Sequence, residues 1–459
     1  MLEIRFFGAS ESIGKSCVMI SDYDRQVILD AGIQLHPRRT GLLSTGPSPV
    51  DDYASETTAV ILSHAHVDHS AYIPALYRAG YNGLTHMTYP TKDLVNILWK
   101  DHLKIEGSNH FNYSHLKTAM HKMKQHNYSK KFKIDNGVTC ELLDASHILG
   151  SACILLDWEG TRILYSGDFN NAKTPFHDPI VFPDPEDPID ILLIETTNAN
   201  RRINSRKEMT SQLTKSLLKC YSRGGKAIIP SFALGRSQEI QSYLCSDFNS
   251  FLRKFPVYID GMILEMNSVY NKYLNEKWVS PRVLLDLKEK GYRSPFEHEG
   301  IRTIDEVPTS GGRMKKREML SNQDNSSIIL TTSGMLEGGP VYDYLRLNGS
   351  DQKNGLYIVG YQVLGTIGSD VLSGQTDLVL IDHLGKPFRV NLSLEVQQFE
   401  FSGHSSLEGL IQMVRYTSAS KVFAMHGEPV SQEKFSSSVT NIETDITIMS
   451  SHEILPQYP

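Results

Sequence analysis

Three imidazoles and a carboxylate crowd one short stretch, Ser63-His64-Ala65-His66-Val67-Asp68-His69. Nitrogen and carboxylate oxygen together suit Zn²⁺ or a similar first-row ion. The apolar run Thr58, Ala59, Val60, Ile61, Leu62 precedes it and reads as a buried strand. A loop leaving such a strand can turn alternate side chains around one point. The alternative is a solvated His-rich loop, but no low-complexity context accompanies these residues.

More ligands follow, each at the end of an apolar run. His147 comes after Cys140, Leu142, Leu143, Asp144 and Ala145; Asp168 after Ile163, Leu164, Tyr165, Ser166 and Gly167; His426 after Val422, Phe423, Ala424 and Met425. A lone His after a strand is more often a cap or a satisfied core group. Repetition of one layout at four places is hard to obtain by chance. His64, His66, Asp68, His69, His147, Asp168 and His426 are too many for one tetrahedral ion and suit two ions sharing a bridging Asp. Two ions about 3.5–4 Å apart can acidify a water and clamp phosphodiester oxygens.

These motifs, with Ser146-His147-Ile148-Leu149-Gly150-Ser151 and Ser166-Gly167-Asp168, resemble those of metallo-β-lactamase hydrolases. Glu195-Thr196-Thr197, Phe401-Ser402-Gly403-His404-Ser405 and Met425-His426-Gly427-Glu428 resemble motifs A, B and C of the β-CASP branch. Ser231 to Glu239, Val257 to Met262, Thr332-Ser333-Gly334-Met335 and Gly360-Tyr361-Gln362 extend the likeness over nearly the whole chain. That branch includes the endonuclease subunit of the cleavage and polyadenylation specificity factor and short prokaryotic homologues. The resemblance implies that His64, His66 and His147 hold one zinc ion and that Asp68, His69 and His426 hold a second. Asp168 bridges them, and Mn²⁺ is the alternative metal. Asp68 and Asp168 would then serve catalysis as ligands. His404, among small neighbours, is the candidate acid for a leaving 3′-oxygen, and Glu195 would keep it charged and oriented. Otherwise Glu195 is a strand-end acid capping a loop. Asp30 matches the family's first Asp and would orient the ligand loop without binding metal. Ser333-Gly334 and Arg236 are candidates for holding a substrate phosphate; the bland readings are a strand-to-helix turn and a surface arginine. Two departures bear on the site. Ser406 stands where many relatives have Asp, and Thr197-Asn198-Ala199-Asn200 replaces an aromatic-Gly pair.

The elements that must position these residues fall into two patterns. Residues 1–170 read mainly as closely spaced strands (2–7, 17–21, 26–31, 57–62, 138–145, 151–158, 162–167), with helices beginning near Ser70, Thr91 and His115 and a loop over Gly32–Asp52. Residues 189–195 form another buried strand. Helix 208–222, strand 226–232, helix 237–251, strand 256–260 and helix 262–275 then alternate. Strands 327–332 and 355–360 come after a polar, irregular stretch. Such alternation argues for a parallel sheet covered on both faces. The pattern gives an α/β fold with a second α/β domain inserted, and the resemblance implies the same plan: a four-layer αββα metallo-β-lactamase domain with an inserted parallel-sheet α/β β-CASP domain. The predicted boundaries are 1–200 and 396–459 for the metallo-β-lactamase domain and 201–395 for the insertion. No KH-like segment is read ahead of it.

Of the 459 residues, 40% are hydrophobic and 21% charged, ordinary for a globular protein. No apolar run reaches the ~18 residues of a membrane span, and the start does not read as a secretory signal. The five cysteines lack metal spacing and read as reduced core residues of a cytoplasmic protein. A net charge of −6 speaks against wide nonspecific phosphate contact. The local basic runs are Arg313-Met314-Lys315-Lys316-Arg317, Lys130-Lys131-Phe132-Lys133, and Arg201-Arg202 with Arg206-Lys207. The favoured function is a two-metal endoribonuclease for single-stranded RNA, leaving 3′-hydroxyl and 5′-phosphate ends. A 5′→3′ exoribonuclease is the alternative within the family. A DNA nuclease is disfavoured by His426, a thioesterase by the insertion, and a non-catalytic RNA-processing scaffold by the intact ligand set. The expected partners are single-stranded RNA, no membrane, and a second copy or an RNA-processing complex.

Overall fold

The structure is a computed structural model, and it describes residues 2–34, 44–183, 186–382, 385–439 and 445–448. Of the loop read over 32–52, residues 35–43 lie outside the described part. Period-two burial builds the first layers. Along Val138–Asp144 every second side chain is buried, whereas Cys17–Ser21 is buried throughout because both of its faces are covered. Six strands form the first sheet in chain order: Glu3–Gly8, Cys17–Ser21, Gln26–Leu29, Ala59–Ile61, Leu84–Thr88 and Met123–His126. The second has seven, ordered Asp445–Ile448, Lys421–Met425, Ile191–Glu195, Thr161–Tyr165, Ala152–Trp158, Val138–Asp144 and Phe132–Asp135. Ile4, Phe6, Ile20 and Leu29 of one sheet meet Leu142, Ile154, Leu193 and Phe423 of the other in a common core.

Helices seal the outer faces. Leu76, Leu94 and Leu116 cover Met19, Ile28 and Val60 of the first sheet. Leu410, Met413 and Phe435 cover Leu192, Ile194 and Val422 of the second. The result is the αββα order expected. Helix Tyr89–Glu106 shows how the sequence sets such an element: Thr88 Oγ1 accepts from Thr91 N, Pro90 occupies the first turn, and Gly107 takes φ +63° at its end.

Ile191–Glu195 and Lys421–Met425 are parallel neighbours, Glu195 opposite Met425. Between them the chain builds a third sheet of six strands, in the order Ile301–Thr303, Val257–Asp260, Ser327–Thr331, Lys226–Pro230, Gly355–Ile358 and Glu395–Gln398. Every pairing in it is parallel. Its last strand runs to Gln398, past the boundary read at 395. One face joins the core of the first sheet's helices, so Leu94, Trp99, Ile148, Ile240, Ile259 and Tyr270 belong to one apolar cluster. The other face packs under Pro340–Asn348, Ile367–Leu372 and the ribbon Asp377–Ile381/Pro387–Asn391.

Two local readings change. The helix read over 237–251 is two, Arg236–Ser246 and Asn249–Leu252, because the chain turns at Asp247 and buries Phe248. The polar stretch before Ser327 is ordered into Pro281–Lys290, Ile301–Thr303 and Arg313–Ser321. In the last of these, Arg317 pairs with Asp260 at 2.6 Å and Asp343 at 2.8 Å, and Arg313 with Asp305 at 3.0 Å. The 313–317 run is therefore largely neutralised from within.

Candidate metal centre and active site

Strand-end loops converge at one end of the sandwich. Ala59–Ile61 delivers His64 and His66; the short helix Val67–Ser70 carries Asp68 and His69. A Cβ on Gly32 would lie 1.7 Å from Asp68 O, so only glycine lets the neighbouring strand end come this close. Asp30 stands behind the cluster, fully buried. It accepts from Ser63 N and Oγ, both at 2.7 Å, and from Tyr165 OH at 2.8 Å, and it meets His69 Nδ1 at 2.7 Å. That contact turns His69 Nε2 toward the centre.

Three groups of possible ligand atoms result: His64, His66, His147 and Asp168; Asp68, His69 and His426; and, overlapping both, Asp168, Glu195 and His426. His66 Nδ1 lies 3.1 Å from His64 Nε2 and 3.2 Å from His147 Nε2. Asp168 Oδ2 lies 3.5 Å and 3.6 Å from the same two Nε2 atoms. Ligands ~2.0–2.1 Å from a tetrahedral zinc stand about 3.3 Å apart, so this group has the spacing of a zinc shell. Asp168 Oδ1 faces the second group, 3.4 Å from His69 Nε2 and 3.4 Å from His426 Nδ1. Asp68 Oδ2 is 3.6 Å from His426 Nε2 and 4.0 Å from His69 Nε2. Asp168 Oδ1 is buried without a hydrogen-bond partner. Buried carboxylate oxygens are rarely left so, and a cation is the partner that fits. Burial holds His64 and His147 well below the usual imidazole range, and it lowers His66 as well, keeping their lone pairs free. Burial works the same way on His69, but Asp168 and Asp30 outweigh it and raise that ring.

His147 Nδ1 donates to Gly403 O at 2.8 Å, tying the first group to the loop of His404. His404 Nδ1 sits 3.0 Å from Glu195 Oε2 and 3.8 Å from Asp168 Oδ2. Its side chain is 23% exposed, the open edge of a buried cluster. Burial opposes its charge, yet Glu195 and Asp168 prevail and push it up to about 9. Glu195 is buried, and its Oε1 accepts from Phe169 N at 3.0 Å.

Several supports are not among the site residues read from the sequence. Asn171 Oδ1 accepts from Ser405 Oγ at 3.0 Å and Ser406 N at 3.1 Å, bracing the loop where Asp is replaced by Ser406. Asn198 Nδ2 donates to Ser402 Oγ at 2.7 Å, and Thr197 Oγ1 donates to His426 O at 3.0 Å. The 197–200 segment thus carries side chains that hold motifs B and C. Arg206 donates to Glu239 at 2.6 Å and to Ser402 O.

Arg236 begins its helix beside motif B: a Cβ on Gly403 would lie 3.4 Å from its Nη2. It is mostly buried and paired with Glu239, unlike a surface arginine. Ser333 and Gly334 make their contacts inside the inserted unit. Ser333 Oγ accepts from Glu337 N at 2.8 Å, and Gly334 O from Gln362 Nε2 at 2.9 Å.

Comparison with known proteins adds independent findings. Residues 237–371 match the family described as the Beta-Casp domain, and residues 389–449 the one described as the Zn-dependent metallo-hydrolase RNA specificity domain. Residues 3–180 match that described as Anti-Pycsar protein Apyc1. An RNase J-like protein of Methanocaldococcus jannaschii is 33% identical over 437 residues, covering 93% of each chain. Transcription termination factor FttA of the same organism is 32% identical, over 93% of this chain and 67% of its own. Cleavage and polyadenylation specificity factor subunit 3 of Dictyostelium discoideum is 27% identical, over 93% of this chain and 53% of its own. In fold alone, the chain is similar to a protein of unknown function from Enterococcus faecalis V583. The TM-score is 0.55, with 13% identity and 99% of each chain covered.

Proposed function

Because the chain belongs to the metallo-β-lactamase/β-CASP family of zinc-dependent hydrolases, we propose that it hydrolyses the phosphodiester bonds of single-stranded RNA. The observation that carries this reading is that Asp168 turns Oδ2 to His64 and His147 and Oδ1 to His69 and His426, with His404 and Glu195 at the edge. In this reading His64, His66 and His147 hold one zinc ion, Asp68, His69 and His426 the other, and Asp168 both. When bound, such ions polarise phosphoryl oxygens and make water acidic enough to attack phosphorus near neutral pH.

The chain's own residues do the rest. Asp30 fixes the tautomer of His69. His404 gives its proton to the departing 3′-oxygen, and Glu195 keeps the ring charged until then. Arg236, Ser333 and Gly334 hold phosphates of the strand. The products carry 3′-hydroxyl and 5′-phosphate ends, since the 2′-hydroxyl takes no part. Cleavage is internal, as in RNA processing or decay. Residues 1–200 and 396–459 form the metal-bearing domain and 201–395 the β-CASP domain, with the adjustment to Gln398 noted above.

Five buried free cysteines fit a reducing compartment, and we place the protein in the cytoplasm. Among the described residues no helix is long and apolar enough to cross a membrane. Assembly with a second copy or within an RNA-processing complex belongs to the same reading; sedimentation at working concentration reads it. The test of the activity is incubation with 5′-labelled RNA, its DNA counterpart, and RNA carrying one 2′-deoxy nucleotide. Internal fragments, cut also at the deoxy position, are expected. Mononucleotides alone would mean an exonuclease, a 2′,3′-cyclic phosphate would refute the mechanism, and faster cutting of DNA would refute the substrate.

A further inference from the structure

At the carboxyl end of Lys226–Pro230, Gly235 meets Ile148 and Arg236 meets Gly403, so this strand end faces the candidate metal centre, and carboxyl ends are the edge at which open α/β sheets hold ligands. Three loops meet there, following Lys226–Pro230, Ser327–Thr331 and Gly355–Ile358. They leave two aromatic rings partly uncovered: Phe232 is 37% exposed and Tyr361 39%. Phe232 is laid against backbone. A Cβ on Gly334 or on Gly360 would each stand 3.3 Å from its ring, at the Cδ2–Cε2 side, so glycine at both places lets the ring approach the two loops. Tyr361 follows directly, and the Arg201 guanidinium lies 4.0 Å from its ring centre. Arg201 also reaches Glu428 at 3.9 Å, two residues beyond the candidate ligand His426. At the other end of the Phe232 loop, Arg236 borders Gly403. Each ring is therefore linked through one arginine to the loops that carry His404 and His426.

We infer that Phe232 and Tyr361 form a stacking platform for unpaired bases of the RNA, resting on the proposed function above. Aromatic faces accept any base, and an arginine behind the ring adds a cation–π contact. The charge balance favours such a device. With a net charge of −6 and the 313–317 run paired internally, phosphate attraction alone is a weak source of affinity. Gly334 sits against Phe232, so a phosphate held by Ser333-Gly334 places its neighbouring base within reach of that ring. A duplex keeps its bases stacked on one another and cannot use the platform.

Binding of a single-stranded RNA carrying 2-aminopurine tests this. The protein is metal-loaded and carries His404→Ala, so that turnover is slow. Stacking quenches the fluorophore. Phe232→Leu and Tyr361→Leu should each raise Kd ~5–100-fold and relieve the quench, with Tyr361→Phe within about twofold of the parent. An oligonucleotide made abasic at the seated position should bind parent and Leu variants alike. Unchanged affinity and quench in both Leu variants would overturn the platform. Melting temperatures check folding, and Tyr361→Leu carries the test if Phe232→Leu misfolds. Cleavage assays with the wild-type protein keep the two readings apart. Normal RNA cleavage with indifferent Leu variants removes the platform alone. If DNA is the better substrate and the Leu variants lose the quench on a DNA oligonucleotide, the platform stands and the RNA reading falls.

Discussion

His404 commits Nδ1 to Glu195 at 3.0 Å, which leaves Nε2 for a substrate. A ligand and a proton donor respond differently to deletion. His404→Ala should keep nearly full metal content while cleavage slows ~10²–10⁴-fold. Asp168→Ala should lose metal and activity together. Elemental analysis beside single-turnover rates separates them, and metal loss in His404→Ala as complete as in Asp168→Ala would make His404 a ligand. Other residues at this scale show where reading a sequence stops. The seven His and Asp residues stood out because metal chemistry needs rare residue types in short spacings. Asn171, Asn198, Arg206 and Glu239 are ordinary polar residues. Their importance lies in partners far along the chain, such as Ser402 and Ser405, and spacing holds no trace of that.

At the scale of elements, apolar runs announced the central strands, and the expected αββα-plus-insertion plan is the plan found. Leu84–Thr88 and Met123–His126 escaped notice because they are short and carry Thr, Lys, Gln and His. Their pairing brings His86 Nδ1 within 2.9 Å of His126 Nε2, with both rings stacked on Phe132. Burial, then the neighbouring ring, lowers His86 to about 4. The unfolded chain takes up this proton near pH 6.5 and the folded one only near 4, so folding stability falls as pH drops through that window. His86→Gln should flatten the decline by on the order of 1–3 kcal/mol. Urea unfolding of both proteins at pH 7, 5.5 and 4.5 measures it, and parallel pH curves would show that this ring does not contribute.

The whole molecule closes around a set of candidate ligands contributed from both sides of the insertion. Ions seated in a folded centre that the unfolded chain lacks stabilise the fold, by about 2.7 kcal/mol per site at a free concentration of 100 Kd. Chelation should therefore lower the melting temperature, and zinc should restore it with close to two ions per chain. Thermal scans with elemental analysis check this; a melting temperature indifferent to chelator, with metal near zero after supplementation, would remove the centre. The side-by-side pairing of Ile191–Glu195 with Lys421–Met425 sets an order in time as well as in space. A ribosome adding ~5–20 residues per second takes roughly ten to fifty seconds between those strands. Throughout that interval the nascent chain lacks His426, His404 is added only near its end, and the edge of Ile191–Glu195 that will receive the second strand lies open. A complete set of candidate ligands therefore arrives only with His426, late in the synthesis of the chain.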